Sequence, residues 1–159
     1  MESPDADAAG GAVRWELRAA VPADVEVIAE LRATVMRPAL ERLGRYDEHR
    51  VRQRLRDGFS PQHTSVIVVD GAFAGCVTLR PADDDRQWLE HFYLTPHHQG
   101  HGLGSAVLRA LLEHTDAQGV PVALNVLQGS AARRLYERHG FTVETEDPID
   151  VFMVRGVGV

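Results

Sequence analysis

The sequence predicts an α+β (mixed α/β) domain with seven strands and four helices. Three observations carry this prediction. Several short segments alternate apolar and polar residues at the two-residue period of strands, and longer segments repeat apolar residues at the helical period. The dipeptide Asp70-Gly71 lies between two apolar runs and is a strong hairpin signal. The resulting order, β-α-α-β-β-β-α-β-α-β-β, describes a mixed sheet with helices rather than a regular βα repeat.

Each element is placed by its own local signal. The predicted elements are, in chain order, a strand over Val13–Ala19, a helix opening at Pro22, a second helix over Asp47–Arg56, strands over Ser65–Val69, Ala72–Leu79 and Gln87–Leu94, a helix from about Gly102 to Ala117, a strand over Pro121–Leu127, a helix capped by Ser130 and ended by Gly140, and strands over Phe141–Thr145 and Ile149–Arg155. The first helix has an apolar stripe of Val25, Ile28, Leu31 and Val35, and we expect Pro38 to interrupt or restart it.

Composition limits the classes of function. The chain has 159 residues, 44% of them hydrophobic, which suits one globular domain over residues 13–159. Residues 1–12 are small and acidic and are predicted to form a disordered tail. All 17 basic residues are arginine, so a phosphate loop of the lysine-dependent kind is excluded. The net charge of -6 argues against nucleic-acid binding, and no apolar run is long enough for a membrane span. The N-terminal residues are acidic and small rather than basic and then apolar, so we expect no signal peptide. We expect a cytoplasmic protein.

The glycine-rich segment from Gln99 to Ser105 carries the most chemical information. It follows a strand and opens an amphipathic helix, so its backbone N–H groups and the helix dipole suit an anion, best a pyrophosphate. Its G-x-G-x-G spacing differs from the dinucleotide fingerprint, and the next strand offers Asn125 where an acid is needed, so a nicotinamide cofactor is disfavoured. The nearby histidines lack cysteine or carboxylate partners, and we expect no metal.

Two blocks of sequence resemble the GNAT superfamily of acetyl-CoA-dependent N-acetyltransferases. Gln99, Gly102 and Gly104 fill that family's phosphate motif, which here follows a strand ending in Phe92-Tyr93-Leu94. The segment Ala132–Phe141 resembles the family's late helix and the Gly-Phe that enters its sixth strand. The resemblance implies a mostly antiparallel seven-stranded sheet in which strands 4 and 5 splay apart. One departure is Gly129, which stands where many members have asparagine.

The resemblance also implies where acetyl-CoA binds. The pantetheine arm would lie between the splayed strands, with the N–H of Leu94 facing the thioester oxygen. The implied cofactor-binding residues are Phe92, Tyr93, Leu94, Gln99, Gly100, His101, Gly102, Leu103, Gly104, Ser105, Asn125, Ser130 and Arg133. Whether Asn125 or Ser130 replaces the missing asparagine is left open.

Acyl transfer to an amine needs a group that removes the amine proton and a group that meets the leaving thiolate. We expect Glu90 to be the base, because strand alternation places it on one face with Trp88, Phe92 and Leu94. His91 has a more suitable ordinary pKa, but the same alternation turns it to the opposite face, so it ranks second. Tyr136 lies at the family's tyrosine position and is expected to act as the acid. Cys76 lies among apolar residues and is expected to be a core thiol.

The acceptor is less well defined. Acidic residues around the last turn, namely Glu144, Glu146, Asp147 and Asp150, favour a cationic amine. Arg37, Arg42 and Arg45 favour an acceptor carboxylate instead. We expect acetylation of a primary amine on a small molecule by direct attack in a ternary complex. The alternatives are a protein or peptide amine and a non-catalytic acyl-CoA-binding regulator. Family members are often dimers, so a homodimer is compatible with the sequence.

Overall fold

The computed structural model describes residues 14–158 and contains the predicted seven-stranded sheet. The elements are β1 (Trp15–Ala19), α1 (Val25–Arg42), α2 (Glu48–Gly58), β2 (Thr64–Val69), β3 (Ala72–Pro81), β4 (Gln87–Leu94), α3 (Leu103–Gln118), β5 (Val122–Leu127), α4 (Ala132–Arg138), β6 (Thr142–Glu146) and β7 (Asp150–Arg155), with single 3-10 turns at Pro22–Asp24, Pro61–His63 and Pro96–His98. The α+β prediction is therefore confirmed. The predicted disordered tail, residues 1–12, lies outside the described residues.

The strands are ordered β1-β2-β3-β4-β5-β7-β6 across the sheet. Every neighbouring pair is antiparallel except β4 and β5, which are parallel. Helices cover both faces. One face packs residues of α3 and α4 against the main apolar core, which includes Leu108 and Phe141. The other face packs α1 and α2 over a smaller cluster around Ile28, Leu55 and Cys76.

The prediction that Pro38 interrupts the first helix is wrong. Helix α1 runs without a break to Arg42 and contains Pro38. A proline at this position removes the hydrogen bond to the carbonyl of Thr34. Both Thr34 and Pro38 are exposed, so water can bind that carbonyl and the helix continues.

Strand β4 contains a β-bulge that the sequence analysis did not anticipate. Thr78 of β3 pairs with Glu90, and Cys76, two positions earlier in β3, pairs with Tyr93. One residue of β3 therefore lies opposite two residues of β4. His91 lies at the bulge with a φ of +50°, in the left-handed region. The extra residue shifts the alternation of side chains along the rest of β4.

Among residues 14–158, none of the helices combines the length and the apolar composition that a bilayer crossing requires.

Candidate active site

The parallel strands β4 and β5 separate after a short paired stretch. Gln87, Trp88 and Leu89 pair with the first half of β5, and the remainder of β5 pairs only with β7. On its other side, β4 stays bonded to β3: Tyr93 pairs with Cys76, and the N–H of Thr95 donates to the carbonyl of the β3 residue Ala74. Ladder alternation therefore turns the N–H of the intervening residue, Leu94, toward the gap.

The carbonyl of Leu94 is already bound within the protein. It accepts a hydrogen bond from the Gln99 side chain at 3.0 Å. Gln99 therefore ties the glycine-rich loop to the end of β4. The loop also packs closely there, because a Cβ added to Gly104 would lie 3.6 Å from the Leu94 side chain. Phe92 and Leu94 direct their side chains to the core under α3.

The loop presents a row of unpaired donors. Within residues 14–158, the six backbone N–H groups from Gly100 to Ser105 donate to no protein acceptor, and the first helical bond runs from Ala106 to Gly102. Gly100 and Gly102 have φ values of +78° and +86°, and a Cβ added to either would meet open space. These donors open a 16-residue helix, α3. Such a cradle fits a pyrophosphate group.

The other predicted cofactor residues differ in availability. His101 is exposed, whereas Leu103 is buried in the core. Ser105 Oγ bonds His139 Nε2 at 3.2 Å. Ser130 Oγ accepts from the N–H of Ala132 at 3.2 Å. Ser130 therefore caps the N-terminus of α4 as predicted, although the residue at the N-cap position is the next one, Ala131.

Two further polar candidates are bound to neighbours. Asn125 is exposed beside the gap and donates to Asp150 at 3.2 Å, while Arg133 forms an ion pair with Glu137 at 3.0 Å. Gly129, which replaces the asparagine of the resemblance, has its carbonyl bound by Arg42 at 2.8 Å.

A cavity of about 820 Å³ lies between the helix pair α1–α2 and the separated ends of β4 and β5. Its wall includes the β4 residues Glu90 and His91, the α4 residue Tyr136, and the turn before β7. Such a volume falls in the range of small-molecule sites.

The Tyr136 side chain brings a hydroxyl group to the wall of the cavity. Its ring is 6% exposed and packs edge-to-face on Phe141, with centroids 5.5 Å apart. Its hydroxyl makes no hydrogen bond to any other residue that the structure describes. Burial raises the pKa of Tyr136 above its ordinary value, so the hydroxyl remains protonated at neutral pH. It is therefore a hydrogen donor facing the cavity.

Glu90 and His91 lie together, contrary to the prediction that His91 faces away. The bulge places His91 Nε2 3.9 Å from Glu90 Oε2, and both line the cavity. The bulge also places Phe92 and Leu94 on the opposite face from Glu90, with which they were expected to share a face. Trp88, the third expected neighbour, does lie beside Glu90 and donates from Nε1 to its carboxylate at 3.0 Å. Strict two-residue alternation fails here because the strand has one extra residue.

The two neighbours are both in proton-accepting states at neutral pH. Burial raises the pKa of Glu90, but the Arg80 hydrogen bond at 2.7 Å and the charge that His91 carries when it is protonated at low pH outweigh burial and lower that pKa overall. Burial lowers the pKa of His91, only partly opposed by Glu90. Glu90 is therefore an ionised carboxylate and His91 a neutral imidazole.

Sequence reasoning missed a polar chain next to this pair. The Tyr93 hydroxyl lies 3.3 Å from His91 Nδ1 and accepts from Arg32 Nε at 3.2 Å. Tyr93 was predicted to bind the cofactor, but its side chain packs under α1 on the acceptor side. Arg32 lies four residues after Ile28 on the inward stripe of α1, and an arginine in an apolar stripe is the signal that identifies it.

Most of the residues predicted to choose the acceptor are occupied elsewhere. Arg37 pairs with Glu41 at 2.8 Å, and Glu144 pairs with Arg86 at 2.7 Å. Of the predicted acceptor residues, Arg45, Asp147 and Asp150 line the cavity.

Comparison with known proteins agrees with this geometry. Residues 28–141 match the family model described as Acetyltransferase (GNAT) family. Over 64 residues the chain is 36% identical to a probable spermine N(1)-acetyltransferase of Bacillus subtilis subsp. natto. That segment is 38% of this chain, and it spans only 42% of the length of the curated relative.

Solved structures share the whole fold. The PaiA N-acetyltransferase from Thermoplasma acidophilum, in complex with coenzyme A, has a TM-score of 0.72 at 19% identity, covering 89% of this chain and 98% of that one. An N-acetyltransferase from Staphylococcus aureus Mu50 has a TM-score of 0.68 at 21% identity, covering 87% and 99% respectively.

Proposed function

We propose, from the premise that this chain belongs to the acetyltransferase (GNAT) family and is an acetyl-CoA-dependent acetyltransferase, that it acetylates a primary amine of a small molecule. The attack is direct, in a ternary complex. One observation carries the proposal: a protonated hydroxyl, Tyr136, and a proton-accepting pair, Glu90 and His91, line one cavity beside the gap between β4 and β5.

The residues present fit the co-substrate. The donors of Gly100–Ser105 would hold its pyrophosphate, and the gap would take its pantetheine arm. Bound acetyl-CoA supplies a thioester whose C–S bond breaks as the amine nitrogen forms a C–N bond to the acetyl carbon. The Leu94 N–H, turned into the gap, stabilises the negative charge that develops on the carbonyl oxygen.

Proton handling falls to the cavity residues. An alkyl amine with a pKa near ~10 is only about a thousandth neutral at pH 7. Since base efficiency is greatest when the pKa is near the working pH, we propose that His91 accepts the proton, directly or through water, and that Glu90 stabilises the resulting imidazolium. Tyr136 donates a hydrogen bond from its hydroxyl to the sulfur and so stabilises the thiolate as it leaves, while the hydroxyl keeps its proton.

Direct attack is supported by the state of Cys76. The thiol is fully buried and donates to the carbonyl of His91 at 3.2 Å. Burial raises its pKa to about 12, so it holds no thiolate at neutral pH and is not a nucleophile for a covalent acyl intermediate.

The test combines binding and turnover. Calorimetric titration with acetyl-CoA is expected to give one site per chain, and thiol release should follow when primary amines are added. Acetyl-CoA binding with no thiol release from any small amine or peptide would instead indicate a non-catalytic acyl-CoA-binding regulator. Thiol release with peptides alone would indicate the protein-directed alternative.

A further inference from the structure

The arginines of α2 divide into two sets that face different parts of the structure. Arg52 and Arg56 face α1, where they pair with Glu30 at 2.7 Å and Glu26 at 2.8 Å. Arg50 and Arg54 are also four residues apart on α2 and so share another face of the helix, which lines the cavity.

The cavity-facing set lacks such partners. Within residues 14–158, the side chains of Arg50, Arg54 and Arg45 make no hydrogen bond and no ion pair. The paired arginines of the same helix bind carboxylates through their guanidinium groups. The guanidinium groups that face the cavity have the same chemistry and are free to bind an incoming anion.

Arg32 extends this positive surface toward the reacting end of the cavity. It is half-buried, its Nε and Nη1 donate to Tyr93 and to the carbonyl of Val51, and its Nη2 has no acceptor in the part of the chain that the structure describes. Its charge also helps to lower the pKa of His91. A purely cationic acceptor would therefore meet a fixed positive charge beside the base.

The carboxylates of the cavity already have protein donors. Asp147 accepts from the N–H groups of Ile149 and Asp150 at 2.9 and 2.8 Å, and Asp150 accepts from Asn125. Asp47 accepts from two N–H groups at the start of α2. These hydrogen bonds keep Asp147 and Asp47 ionised and use part of their capacity to accept from a ligand, and the charge of Arg50 also acts on Asp47. The charged hydrogen-bond donors that remain free in the cavity, among the described residues, therefore lie on the arginine side.

We propose that the acceptor is an amine that also carries a carboxylate, as an amino acid does. The amine lies at Glu90 and His91, and the carboxylate is bound by Arg50, Arg54 and Arg32. This inference rests on the proposed function and narrows it to one substrate class. It favours an acceptor different from the polyamine named in the curated relative.

The test compares amines that differ only by the carboxylate. Ornithine and putrescine form one such pair, lysine and cadaverine another, and spermine is added as a polyamine probe. We expect kcat/KM to be at least about tenfold higher for the carboxylate-bearing member of each pair. Arg50→Gln and Arg54→Gln should each raise KM for the amino acid several-fold without changing KM for acetyl-CoA.

The matched control is Arg56→Gln, on the same helix but facing α1, which should leave the preference intact. Equal or better turnover of spermine and the diamines, or unchanged KM in the Arg50 and Arg54 variants, would overturn the inference while leaving acetyl transfer standing. Absence of thiol release with every amine would overturn the proposed function and this inference together.

Discussion

Removal of the Tyr136 hydroxyl should separate activity from stability. The Tyr136→Phe side chain keeps the edge-to-face packing on Phe141, and it breaks no hydrogen bond to the residues that the structure describes. A buried hydroxyl without a protein partner costs about 1–3 kcal/mol, less where water reaches it from the cavity. We therefore expect the free energy of unfolding to stay the same or to rise by about 1 kcal/mol, which corresponds to a Tm up to roughly 3 °C higher.

Activity should move the other way. A positioned hydrogen-bond donor to developing negative charge contributes about 10²- to 10³-fold, so kcat at saturating acetyl-CoA should fall about a hundredfold or more. The assays are thiol release and a thermal melt of the same preparation. A kcat within twofold of the unsubstituted enzyme would reduce Tyr136 to a packing residue.

Tyr93→Phe is the matched control for this substitution. Its hydroxyl is bonded to Arg32 and lies within reach of His91, and burial raises its pKa to about 12. Its removal should lower the free energy of unfolding by about 1 kcal/mol. A Tyr136→Phe protein that melts as early as Tyr93→Phe would contradict the statement that the Tyr136 hydroxyl is unpartnered.

Three other substitutions test separate parts of the structure. In Gly75→Ala the new Cβ would lie 2.2 Å from the carbonyl oxygen of Tyr93, so the end of β4 must move by about 1 Å. In a protein that still folds, kcat/KM should then fall about a hundredfold. Steady-state rates measure this effect, circular dichroism checks the folding, and wild-type rates would refute the prediction. Glu90→Gln removes a negative charge that raises the pKa of His91, so the acid limb of kcat/KM should move to lower pH, and a move to higher pH would count against the pair. The hydrogen bond from Arg155 lowers the pKa of Asp116 to about 2, below its ordinary 3.8. The ionised carboxylate therefore stabilises the folded protein above pH ~4, and this contribution is lost as the pH falls toward 2. Asp116→Asn should lower Tm at neutral pH and flatten the dependence of Tm on pH between those two values, whereas an unchanged dependence would refute this.

Local signals predicted the elements well where one pattern dominates. The span Gln87–Leu94 for β4 matches the structure residue for residue, and Asp70-Gly71 does form the hairpin turn. Such signals act through neighbouring residues, so they are readable from the chain alone. Pro38 was misjudged because its tolerance depends on solvent at Thr34, which only the folded surface reveals.

The site was predicted less completely than the fold. The glycine-rich loop could be selected because the spacing of its glycines is visible in the sequence, and its binding of a pyrophosphate stays a prediction. The bulge at His91 was not, since a histidine with a φ of +50° has no sequence signature and depends on the register with β3. The ion pair of Glu90 with Arg80 likewise depends on the register between β3 and β4, and the ion pairs of the α2 arginines depend on how α2 packs against α1.

The extra residue in β4 reverses which face of the sheet each later side chain of the strand points to. It lets one strand present apolar groups to α3 near its end and still direct two consecutive ionisable groups into the opposite compartment. Deleting His91 would restore a regular pleat in which Tyr93 still pairs with Cys76, so the strand would keep its register and lose the second ionisable group. The length of this segment is therefore as much a determinant of the chemistry as the identity of its residues.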